Sequence, residues 1–295
     1  MTEGKKLLTI FTPAFNRAYT LEKLYNSLLV QTSKDFEWLI VDDGSTDNTE
    51  KLVSDWIEEG KIKIRYYYQK NSGKQVAMNL GAEKCITELF DCVDSDDYLL
   101  PDAVESMLRF WEENSSEKIA GMISLRGKNE NDPIMGKSLP ADVSHCHFME
   151  LYEKYHFSGD TNIVYRTEII RRYPYKLFPG EKFIGESVQY LQIDQSYEML
   201  LMNTITVICK YLNDGYSKNV YSLLKKNPQG YRYLKGLCFS HLNGKMNKYL
   251  EMVKYCCADH MCADHNGYKL SPTKVGYCLA KIPGLLMYLV FFKKV

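Results

Sequence analysis

The sequence predicts an α/β fold, with a mostly parallel sheet covered by helices on both faces and a helical C-terminal region. Two observations predict this class. Short apolar runs alternate with amphipathic stretches through the first 125 residues, and repeated strand–helix–strand units of this length build parallel sheets. Beyond residue 217, apolar residues recur at helical spacing in a segment rich in Lys and Tyr, which indicates helices without further strands.

The first half of the chain contains five predicted strands, each a short apolar run that ends at a polar or turn-forming segment. They are Leu7–Thr12, Glu37–Val41, Ile62–Tyr68, Leu89–Val93 and Ile119–Leu125. Amphipathic helices are predicted between them. Gly60 ends the second helix, and Pro101 opens the fourth at its first turn, a position that tolerates proline.

The second half of the chain is less regular. Residues 129–158 are polar and predict a long irregular loop, and Phe178–Ile193 predicts a loop that leads into a helix. Strands are predicted at Thr161–Arg166 and Leu200–Tyr211. After Ser217, short helices are predicted, because several helix breakers interrupt the apolar pattern. These breakers are Pro228, Gly244, Pro272 and Pro283.

Charge separates two regions of the chain. The 295 residues carry 37 Lys and Arg against 37 Asp and Glu, and this neutrality argues against a nucleic-acid-binding protein, which would normally be strongly basic. Residues 218–295 contain thirteen Lys and Arg and three acids, a charge of +10, which leaves −10 on residues 1–217. We therefore predict two domains: residues 1–217, in halves of about 1–125 and 126–217, and a basic helical region over residues 218–295.

Cysteine usage and apolar runs indicate the compartment. Nine cysteines, an odd number, lie mostly in apolar stretches, which favours reduced thiols over a disulfide framework. Met1–Lys6 is polar, and Leu7–Phe11 is too short for the apolar region of a secretory signal. The longest apolar run, Ile282–Phe292, has eleven residues and is shorter than the roughly 18–20 residues that span a membrane. We expect a cytoplasmic protein that does not span a membrane.

Polar clusters follow each of the first four predicted strands. They are Thr12–Arg17, Asp42–Ser45, Asn71–Lys74 and Asp94–Asp97. Ligands of open α/β sheets bind outside the carboxyl ends of the strands, and all four clusters fall on that edge. The carboxylates of the last cluster repel one another unless a cation is near. Mg²⁺ or Mn²⁺ takes one or two carboxylates together with substrate phosphates, so we predict metal and phosphate binding there; a solvated turn that caps a helix is the alternative.

Three further residues in these clusters suit a nucleotide. Phe15 offers a flat face for stacking. Asp43 offers a hydrogen-bond acceptor to a base or ribose, although the Asp42–Asp47 segment also has the composition of a turn that caps a helix. Lys74 follows Gly73 at a predicted helix N-terminus, where a cation and the helix dipole together suit a phosphate.

These motifs resemble those of the family 2 glycosyltransferases, which are inverting enzymes of the GT-A fold. In chain order the motifs are Thr12–Arg17, Val41–Asp47, Asn71–Gly81 and Asp94–Pro101. The resemblance is close over about residues 7–125 and loose over about 158–217. It implies a Rossmann-like, mixed, mostly parallel sheet. It also implies a metal-dependent hexosyl- or N-acetylhexosaminyl-transferase that moves a sugar from a nucleotide-diphosphate donor, UDP in particular, to a hydroxyl in cell-surface polysaccharide or glycolipid assembly.

The resemblance also implies donor-binding residues on the nucleoside side. The turn at Pro13 and Phe15 would hold the nucleotide, with the Phe15 ring against a uracil-type base. Asp43 would accept a hydrogen bond from the imide N–H of that base.

On the diphosphate side, Asp94-Ser95-Asp96 matches the DxD motif of the family. The resemblance implies that Asp94 approaches the ribose and that Asp96, together with Asp94, binds Mn²⁺ or Mg²⁺. Ser95 belongs to the same donor-binding segment, and Lys74 would contact a donor phosphate.

Inversion by direct displacement needs a general base for the acceptor hydroxyl. In many members of the family this base belongs to a Glu-Asp pair after a Phe-Pro-rich segment. Here Phe178-Pro179 leads to Glu186, and Ser187 stands in the place of the Asp. We predict Glu186 as the base, with Asp160 and Glu181 as alternatives.

Two other functions are weighed against an active glycosyltransferase. Because the Asp after Glu186 is missing, a catalytically inactive sugar-nucleotide-binding protein is an alternative. A nucleotidyltransferase is less favoured, because Thr12–Arg17 lacks the Gly-rich loop typical of that class. The segment from Tyr211 through Asp214-Gly215 to Ser217 resembles the final strand and loop of the family, and a plain Asp-Gly turn explains it equally well.

The C-terminal region carries two open predictions. Its charge, with Ile282–Phe292 between Lys281 and Lys293, predicts an anchor on the anionic inner face of the plasma membrane. Such an anchor would suit a lipid-linked saccharide acceptor, and a basic appendage that packs on the catalytic domain is the alternative. A second pattern is compatible either with a Zn²⁺ site or with a helix of buried Cys and exposed His. It consists of Cys257, His260, Cys262 and His265.

Overall fold

The computed structural model describes residues 7–209 and 219–293. The chain divides into two compact units, one of Met1–Pro174 with Ile193–Tyr211 and one of Tyr175–Gln192 with Leu212–Val295. The predicted boundary after residue 217 lies outside the described residues and stays a prediction. The sequence placed Tyr175–Gln192 in the first domain, whereas its contacts group it with the C-terminal residues. One reason is that the side-chain oxygen of Asn227 accepts hydrogen bonds from the backbone of residues 182 and 183.

A ten-stranded sheet forms the framework of the first unit. Its strands are β1 (Leu8–Ala14), β2 (Phe36–Asp42), β3 (Ile64–Tyr68), β4 (Leu89–Cys92), β5 (Tyr98–Leu99), β6 (Ile119–Asn129), β7 (Asp132–Pro133), β8 (His145–Cys146), β9 (Thr161–Arg166) and β10 (Glu198–Ile208). Eight strands follow the order β3-β2-β1-β4-β9-β6-β10-β5, while β7 pairs with β6 and β8 with β10. β1 to β4 are parallel, β9 is antiparallel to β4 and β6, and β6 is parallel to β10. The predicted mixed sheet is confirmed.

Helices of the first unit cover both faces of this sheet. They are α1 (Ala18–Leu29), α2 (Thr49–Glu59), α3 (Lys74–Lys84), α4 (Ala103–Asn114), α5 (Phe148–Glu153) and α6 (Thr167–Arg172). Consecutive side chains of a strand point to opposite faces. Ile10 of β1 therefore packs in the core that contains Trp56 of α2 and Met107 of α4. The next residue, Phe11, lies against Gly81 of α3, where a Cβ atom would come within 2.3 Å of the ring.

An aromatic stack in the core anchors the carboxyl end of β1. The rings of Tyr25 and Trp56 lie 4.2 Å apart, and Trp38 lies 5.8 Å from Trp56. The buried Trp38 donates its indole N–H to Thr12 Oγ1 at 3.0 Å. Because a buried indole N–H needs a partner, this bond holds Thr12 at the point where the chain leaves the sheet.

The prediction of an irregular loop over residues 129–158 was wrong. β6 continues to Asn129 and pairs with β7, and a 3₁₀ turn (Ile134–Gly136), β8 and α5 follow. Isolated apolar residues such as Ile134 and Leu151 are buried and hold these short elements in place. Their spacing is too irregular to show a period in the sequence, so only the structure reveals the elements.

Helices make up the second unit. They are α7 (Ser187–Ile193, with its last residue counted in the first unit), α8 (Val220–Lys226), α9 (Pro228–His241), α10 (Lys245–Met261), α11 (Gly267–Leu270) and α12 (Lys274–Phe291). α10 packs against both α9 and α12. The buried Arg232 of α9 donates to Asp259 at 2.7 Å and forms two bonds of 2.7 Å with Asp264. These pairs join α9 to α10 and to the loop that follows it.

α12 differs from the sequence prediction, because Pro283 lies inside the helix and does not end it. Proline cannot donate a backbone N–H to the carbonyl of Leu279, which costs one hydrogen bond, yet the helix continues for eight residues to Phe291. The resulting 18-residue helix is long and apolar enough, by length and composition alone, to cross a membrane, and 17% of it is buried.

The cysteines considered as zinc ligands lie in different surroundings. Cys257 packs with Tyr231 and Phe292, and burial raises the pKa of its thiol to about 12. Burial likewise raises the pKa of Cys262 to about 12. Within the described residues, the group with metal-ligand spacing joins Cys262 to Asp259 and Asp264 and contains no histidine. The Arg232 guanidinium already bonds to both of these carboxylates. The arginine therefore supplies the positive charge that a metal ion would otherwise bring to this group.

Candidate functional site

The carboxyl ends of the parallel strands form one edge of the first unit, which we call the strand-end edge. β1, β2, β3 and β4 run side by side in the same direction, so the loops after them meet there. β6 also ends at this edge, because β9 lies antiparallel between it and β4. The prediction that the four polar clusters share one edge is confirmed by this strand pairing.

The loop after β1 carries Phe15, whose side chain is 46% exposed. Pro13 precedes it within β1, and Asn16 follows in the left-handed region with φ of 54°. The Asn16 amide donates to Ser45 Oγ at 2.8 Å, and Asn16 Oδ1 accepts from the Thr46 amide at 2.8 Å. These bonds fix the first loop to the second and leave a large aromatic ring exposed beside them.

The loop after β2 turns on Asp42 and Gly44. Asp42 Oδ1 accepts from the Ser45 amide and Oδ2 accepts from the Tyr66 hydroxyl, both at 2.7 Å. Gly44 has φ of 83°, and a Cβ atom there would lie 2.6 Å from the backbone nitrogen of Asn71. The position therefore requires glycine for its conformation and for the close approach of the third loop.

Asp43 holds the third loop in place. It is 5% exposed. Its Oδ1 accepts from Gln69 Nε2 and from the Ser72 amide at 2.7 Å each, and its Oδ2 accepts from the Gly73 amide at 2.8 Å. A carboxylate offers about four acceptor positions, so these three bonds leave room for one more. Gln69 and Ser72 were not singled out in the sequence, because nothing in their spacing shows that they bind Asp43.

The structure brings Lys74 to the DxD motif. Lys74 begins α3, and its Nζ lies 2.6 Å from Asp94 Oδ1, with the two side chains 14% and 32% exposed. Ser95 is buried, and Asp96 is half-buried. The cation predicted to bind phosphate and the carboxylates predicted to bind metal therefore lie together at the strand-end edge.

The pKa values of the two DxD carboxyls shift in opposite directions. Burial raises the pKa of Asp94, but the charges of Lys74 and Arg126 outweigh it and hold that pKa below its usual value. Burial, and next the negative charge of Asp94, raise the pKa of Asp96. A hard divalent cation prefers oxygen ligands of this kind and would favour the ionised form of both groups. The carboxyl groups therefore fit Mg²⁺ or Mn²⁺.

Arg126 is a residue of this edge that the sequence interpretation missed. It lies in β6, and its Nη1 is 3.1 Å from Asp97 Oδ2 and 3.6 Å from Cys209 Sγ. Burial opposes the charge of the guanidinium, yet Cys209 and the carboxylates of Asp94 and Asp97 raise its pKa well above the usual value. An Arg directly after the predicted strand Ile119–Leu125 was the available signal. The four motifs of the family resemblance end at Pro101, before this strand begins.

The three candidate bases are divided between the two units. Glu186 belongs to the second unit, where it directly precedes α7 and is half-buried, and the Tyr190 hydroxyl donates to its Oε2 at 3.4 Å. Glu181, in the same unit, accepts from the Gln229 and Gly230 amides at 2.7 and 2.8 Å and so caps α9. This structural role disfavours Glu181 as the base.

Asp160 lies in the first unit, directly before β9. Its backbone carbonyl accepts from the Arg126 amide at 3.2 Å, and its Oδ1 accepts from the Thr161 amide at 2.9 Å. Asp160 therefore stands at the strand-end edge. The Tyr211–Ser217 segment, which resembles the final strand and loop of the family, lies outside the described residues.

Comparison with known sequences identifies a family for this region. Residues 9–174 match glycosyl transferase family 2, and all four motifs fall within that range. A GalNAc(5)-diNAcBac-PP-undecaprenol β-1,3-glucosyltransferase of Campylobacter jejuni is 24% identical over 281 residues, which are 93% of this chain and 87% of that protein. The poly(ribitol-phosphate) β-N-acetylglucosaminyltransferase TarP of Staphylococcus aureus is 28% identical over 242 residues, or 77% of this chain and 69% of TarP.

Other relatives match only in part. An uncharacterized glycosyltransferase of Rickettsia felis is 40% identical over 108 residues, which are 37% of this chain and 18% of that relative. The chain therefore spans less than a fifth of the length of this relative.

Solved structures share the fold. TarS of S. aureus in complex with UDP-GlcNAc has a TM-score of 0.61 at 16% identity. The match covers 96% of this chain and 80% of the TarS chain. A mannosyltransferase of Pyrobaculum calidifontis in complex with GDP-Man and Mn²⁺ has a TM-score of 0.57 at 13% identity, with 96% and 87% covered. The predicted GT-A fold is confirmed.

Proposed function

Since the chain belongs to glycosyl transferase family 2, we propose that it is an inverting glycosyltransferase that uses a nucleotide-diphosphate sugar and a divalent cation. One observation carries the proposal. At a single edge of the sheet stand an exposed aromatic ring, a buried carboxylate with acceptor capacity left, and a lysine 2.6 Å from the DxD motif. The ring and the carboxylate suit the base of such a donor, and the lysine with the DxD motif suits its diphosphate.

Each donor residue has a role in this proposal. Phe15, with Pro13, stacks on the base, and Asp43 accepts the imide N–H of uracil at its remaining position. Asp94 approaches the ribose. Lys74 is held beside Asp94 in the described structure and supplies a cation to a donor phosphate.

Asp96, together with Asp94, would hold Mn²⁺ or Mg²⁺. Ser95 lies between these two residues and belongs to the same donor-binding segment. A bound cation would neutralise charge that develops on the leaving diphosphate. The mannosyltransferase of the same fold was crystallised with Mn²⁺, which supports a cation in this chain.

Glu186 is the proposed base that takes the proton of the acceptor hydroxyl. Ser187 replaces the second acid found in many members of the family, so one carboxylate would act alone. Asp160 is the competing candidate, because it stands at the strand-end edge next to Arg126.

The names of two relatives support a choice of substrates. TarP is an N-acetylglucosaminyltransferase that acts on a polyol phosphate, and the C. jejuni protein is a glucosyltransferase that acts on an undecaprenol-linked saccharide. We assign this chain a UDP-linked hexose or N-acetylhexosamine and a saccharide or lipid-linked saccharide acceptor in polysaccharide or glycolipid assembly. The basic residues 218–295 suit a cytoplasmic enzyme that is peripheral on the inner face of the plasma membrane.

A panel of UDP- and GDP-sugars tests the function. Nucleoside diphosphate release is measured with Mn²⁺, Mg²⁺ or a chelator, with and without saccharide acceptors. Release from one UDP-sugar that requires the metal and rises with an acceptor is the expected result. Binding without release would identify an inactive nucleotide-sugar-binding protein. Release of pyrophosphate from a nucleoside triphosphate and a sugar phosphate would identify a nucleotidyltransferase.

A further inference from the structure

One face of α12 packs closely on α10. Tyr277, Ala280 and Gly284 are buried. At Gly284 a Cβ atom would lie only 2.5 Å from Cys256 Cβ, so the two helices touch at their backbones there. This contact fixes α12 along the surface of the second unit.

The opposite face of α12 is exposed and apolar. At 100° per residue, six large aliphatic side chains fall within an arc of about 100°. They are Val275, Leu279, Ile282, Leu286, Leu289 and Val290, with exposed fractions of 72%, 66%, 70%, 57%, 39% and 68%. Single exposed apolar residues are ordinary on a soluble protein, but a continuous stripe of them marks a binding surface. We call this stripe the aliphatic face.

The charges around the aliphatic face are positive. The sequence from residue 265 to residue 293 contains no Asp or Glu, and it contains Lys269, Lys274, Lys281 and Lys293. By helical position, Lys274 and Lys281 stand along one border of the aliphatic face, and Lys293 follows the end of the helix. Long lysine side chains can keep their charge in the headgroup region while their stems lie along apolar surface.

Three acids on or directly after α10 are already paired with cations. Asp259 and Asp264 bond to Arg232, and Glu251 bonds to Lys235 and Lys254. The lysines near α12 therefore give this surface a positive charge that an anionic partner would complement.

We infer that the aliphatic face of α12 inserts into the interface of an anionic membrane, with the helix lying in the plane of the leaflet and Lys274, Lys281 and Lys293 in the headgroup layer. A helix with one apolar face and basic borders binds membranes in this way. Spanning is disfavoured, because the other face of α12 is held by α10, which carries the charged residues Lys248 and Glu251. The inference deepens the proposed function and rests on it in one respect: a lipid-linked acceptor would lie in the same leaflet.

Vesicle flotation tests this inference without any sugar or acceptor, so its result is independent of the proposed transferase activity. The full chain is mixed with vesicles of phosphatidylcholine alone or of phosphatidylcholine with phosphatidylglycerol, at low and high salt. We expect flotation with the anionic vesicles at low salt and at least about tenfold weaker binding to the neutral ones. Equal recovery in the bottom fraction with both vesicle types would overturn the inference.

Matched variants identify the surface responsible. Leu279→Ser, Ile282→Ser and Leu286→Ser are combined in one variant. The control combines serine substitutions at Val30, Ile57 and Ile86, apolar residues of the first unit that are 60%, 43% and 60% exposed. We expect the α12 variant to lose at least about tenfold in binding to the anionic vesicles, while the control floats like the parent chain.

Unchanged flotation of the α12 variant, provided that it is folded by circular dichroism, would place binding elsewhere and contradict the inference. Sedimentation velocity without lipid gives a second test. A dimer that the α12 substitutions dissociate would also contradict the inference, because a second copy of the chain would then cover the aliphatic face. A monomer with and without the substitutions is the supporting result.

Discussion

The two units use charged residues differently. In the first, Asp43 accepts hydrogen bonds from backbone amides and from Gln69, and Asp94 lies 2.6 Å from Lys74. In the second, Asp259 and Asp264 share the guanidinium of Arg232. The first arrangement leaves acceptor capacity for a ligand, whereas the second satisfies the acids within the fold.

The groups that bond to its carboxylates decide whether an acid-rich cluster suits a ligand or stabilises the fold. Asp94-Ser95-Asp96 and the group of Asp259 with Asp264 both bring carboxylates together. In the second cluster, one arginine forms hydrogen bonds with both carboxylates in the described structure, whereas the described bonds of Asp94 and Asp96 include none to an arginine. The first therefore fits a metal ion and the second a structural role.

Removing the proposed metal ligand should give the largest effect. Asp96→Asn keeps the shape of the side chain but removes one negative charge from the DxD motif. We expect turnover of the sugar nucleotide to fall by about a thousandfold, equivalent to about 4 kcal/mol of transition-state stabilisation. Asp102→Asn, at an exposed acid a few residues away, is the control and should leave turnover unchanged. Wild-type turnover by the Asp96 variant would remove the DxD motif from catalysis.

The next largest effect concerns the base. Glu186→Gln should lower transfer to the acceptor by about a hundredfold to ten-thousandfold, because the acceptor hydroxyl loses its proton acceptor, while the affinity for UDP stays unchanged. Steady-state rates and calorimetric titration separate the two quantities. Asp160→Asn is measured in parallel. If that variant loses transfer and the Glu186 variant does not, the base belongs to the first unit.

Arg232 tests the structural half of the comparison. Arg232→Met would leave Asp259 buried without its cation and Asp264 without its two bonds. The arginine, first through its hydrogen bond, lowers the pKa of Asp264 to about 2. We expect the free energy of unfolding of the second unit to fall by about 3–5 kcal/mol in denaturant. Lys226→Met, at an exposed lysine of α8, should change it little. A similar loss in both variants would show that Arg232 has no special role.

A buried acid of the first unit predicts a smaller, pH-dependent effect. Asp91 is fully buried in β4, and burial raises its pKa from 3.8 to about 7. Between pH ~4 and ~7 the folded state holds a proton that the unfolded state has lost, so stability falls as the pH rises through this range. The contribution of this group is therefore fully present below pH ~4 and is lost once the pH passes ~7. The change amounts to at most about 4 kcal/mol.

Asp91→Asn removes this titration while keeping a similar shape. The free energy of unfolding of the variant relative to the parent should therefore increase between pH 4 and pH 7, by up to the same ~4 kcal/mol. Asp35→Asn, at an exposed acid, should show no such trend. Parallel pH profiles for the Asp91 variant and the parent would show that Asp91 is ionised in the folded protein.

Much of the first unit could be predicted, because local signals determine it. Apolar runs stopped by Asp, Gly and Asn place the ends of β1 to β4 within one or two residues. The family match then supports the motifs at those ends. The contact of Lys74 with Asp94 was not foreseen, since the residues stand twenty positions apart and only the pairing of parallel strands brings their loops together.

The features that could not be predicted depend on tertiary contacts. The Tyr175–Gln192 segment joins the second unit through Asn227, whose bonds leave no mark on sequence periodicity. Pro283 suggested a break, but the loss of one hydrogen bond is tolerated in a helix that packs along α10. Arg126 belongs to the site only because the pairing of β9 with β4 and β6 brings the end of β6 to the strand-end edge.

Calorimetric titration with UDP tests the central claim, that the strand-end edge of the first unit binds a nucleotide through a metal held by the DxD motif. We predict binding by the parent chain in Mn²⁺, and a loss of at least about tenfold when Mn²⁺ is replaced by a chelator or when Asp96 is replaced by Asn. Equal UDP affinity under all three conditions, or binding of no nucleoside diphosphate at all, would contradict the account.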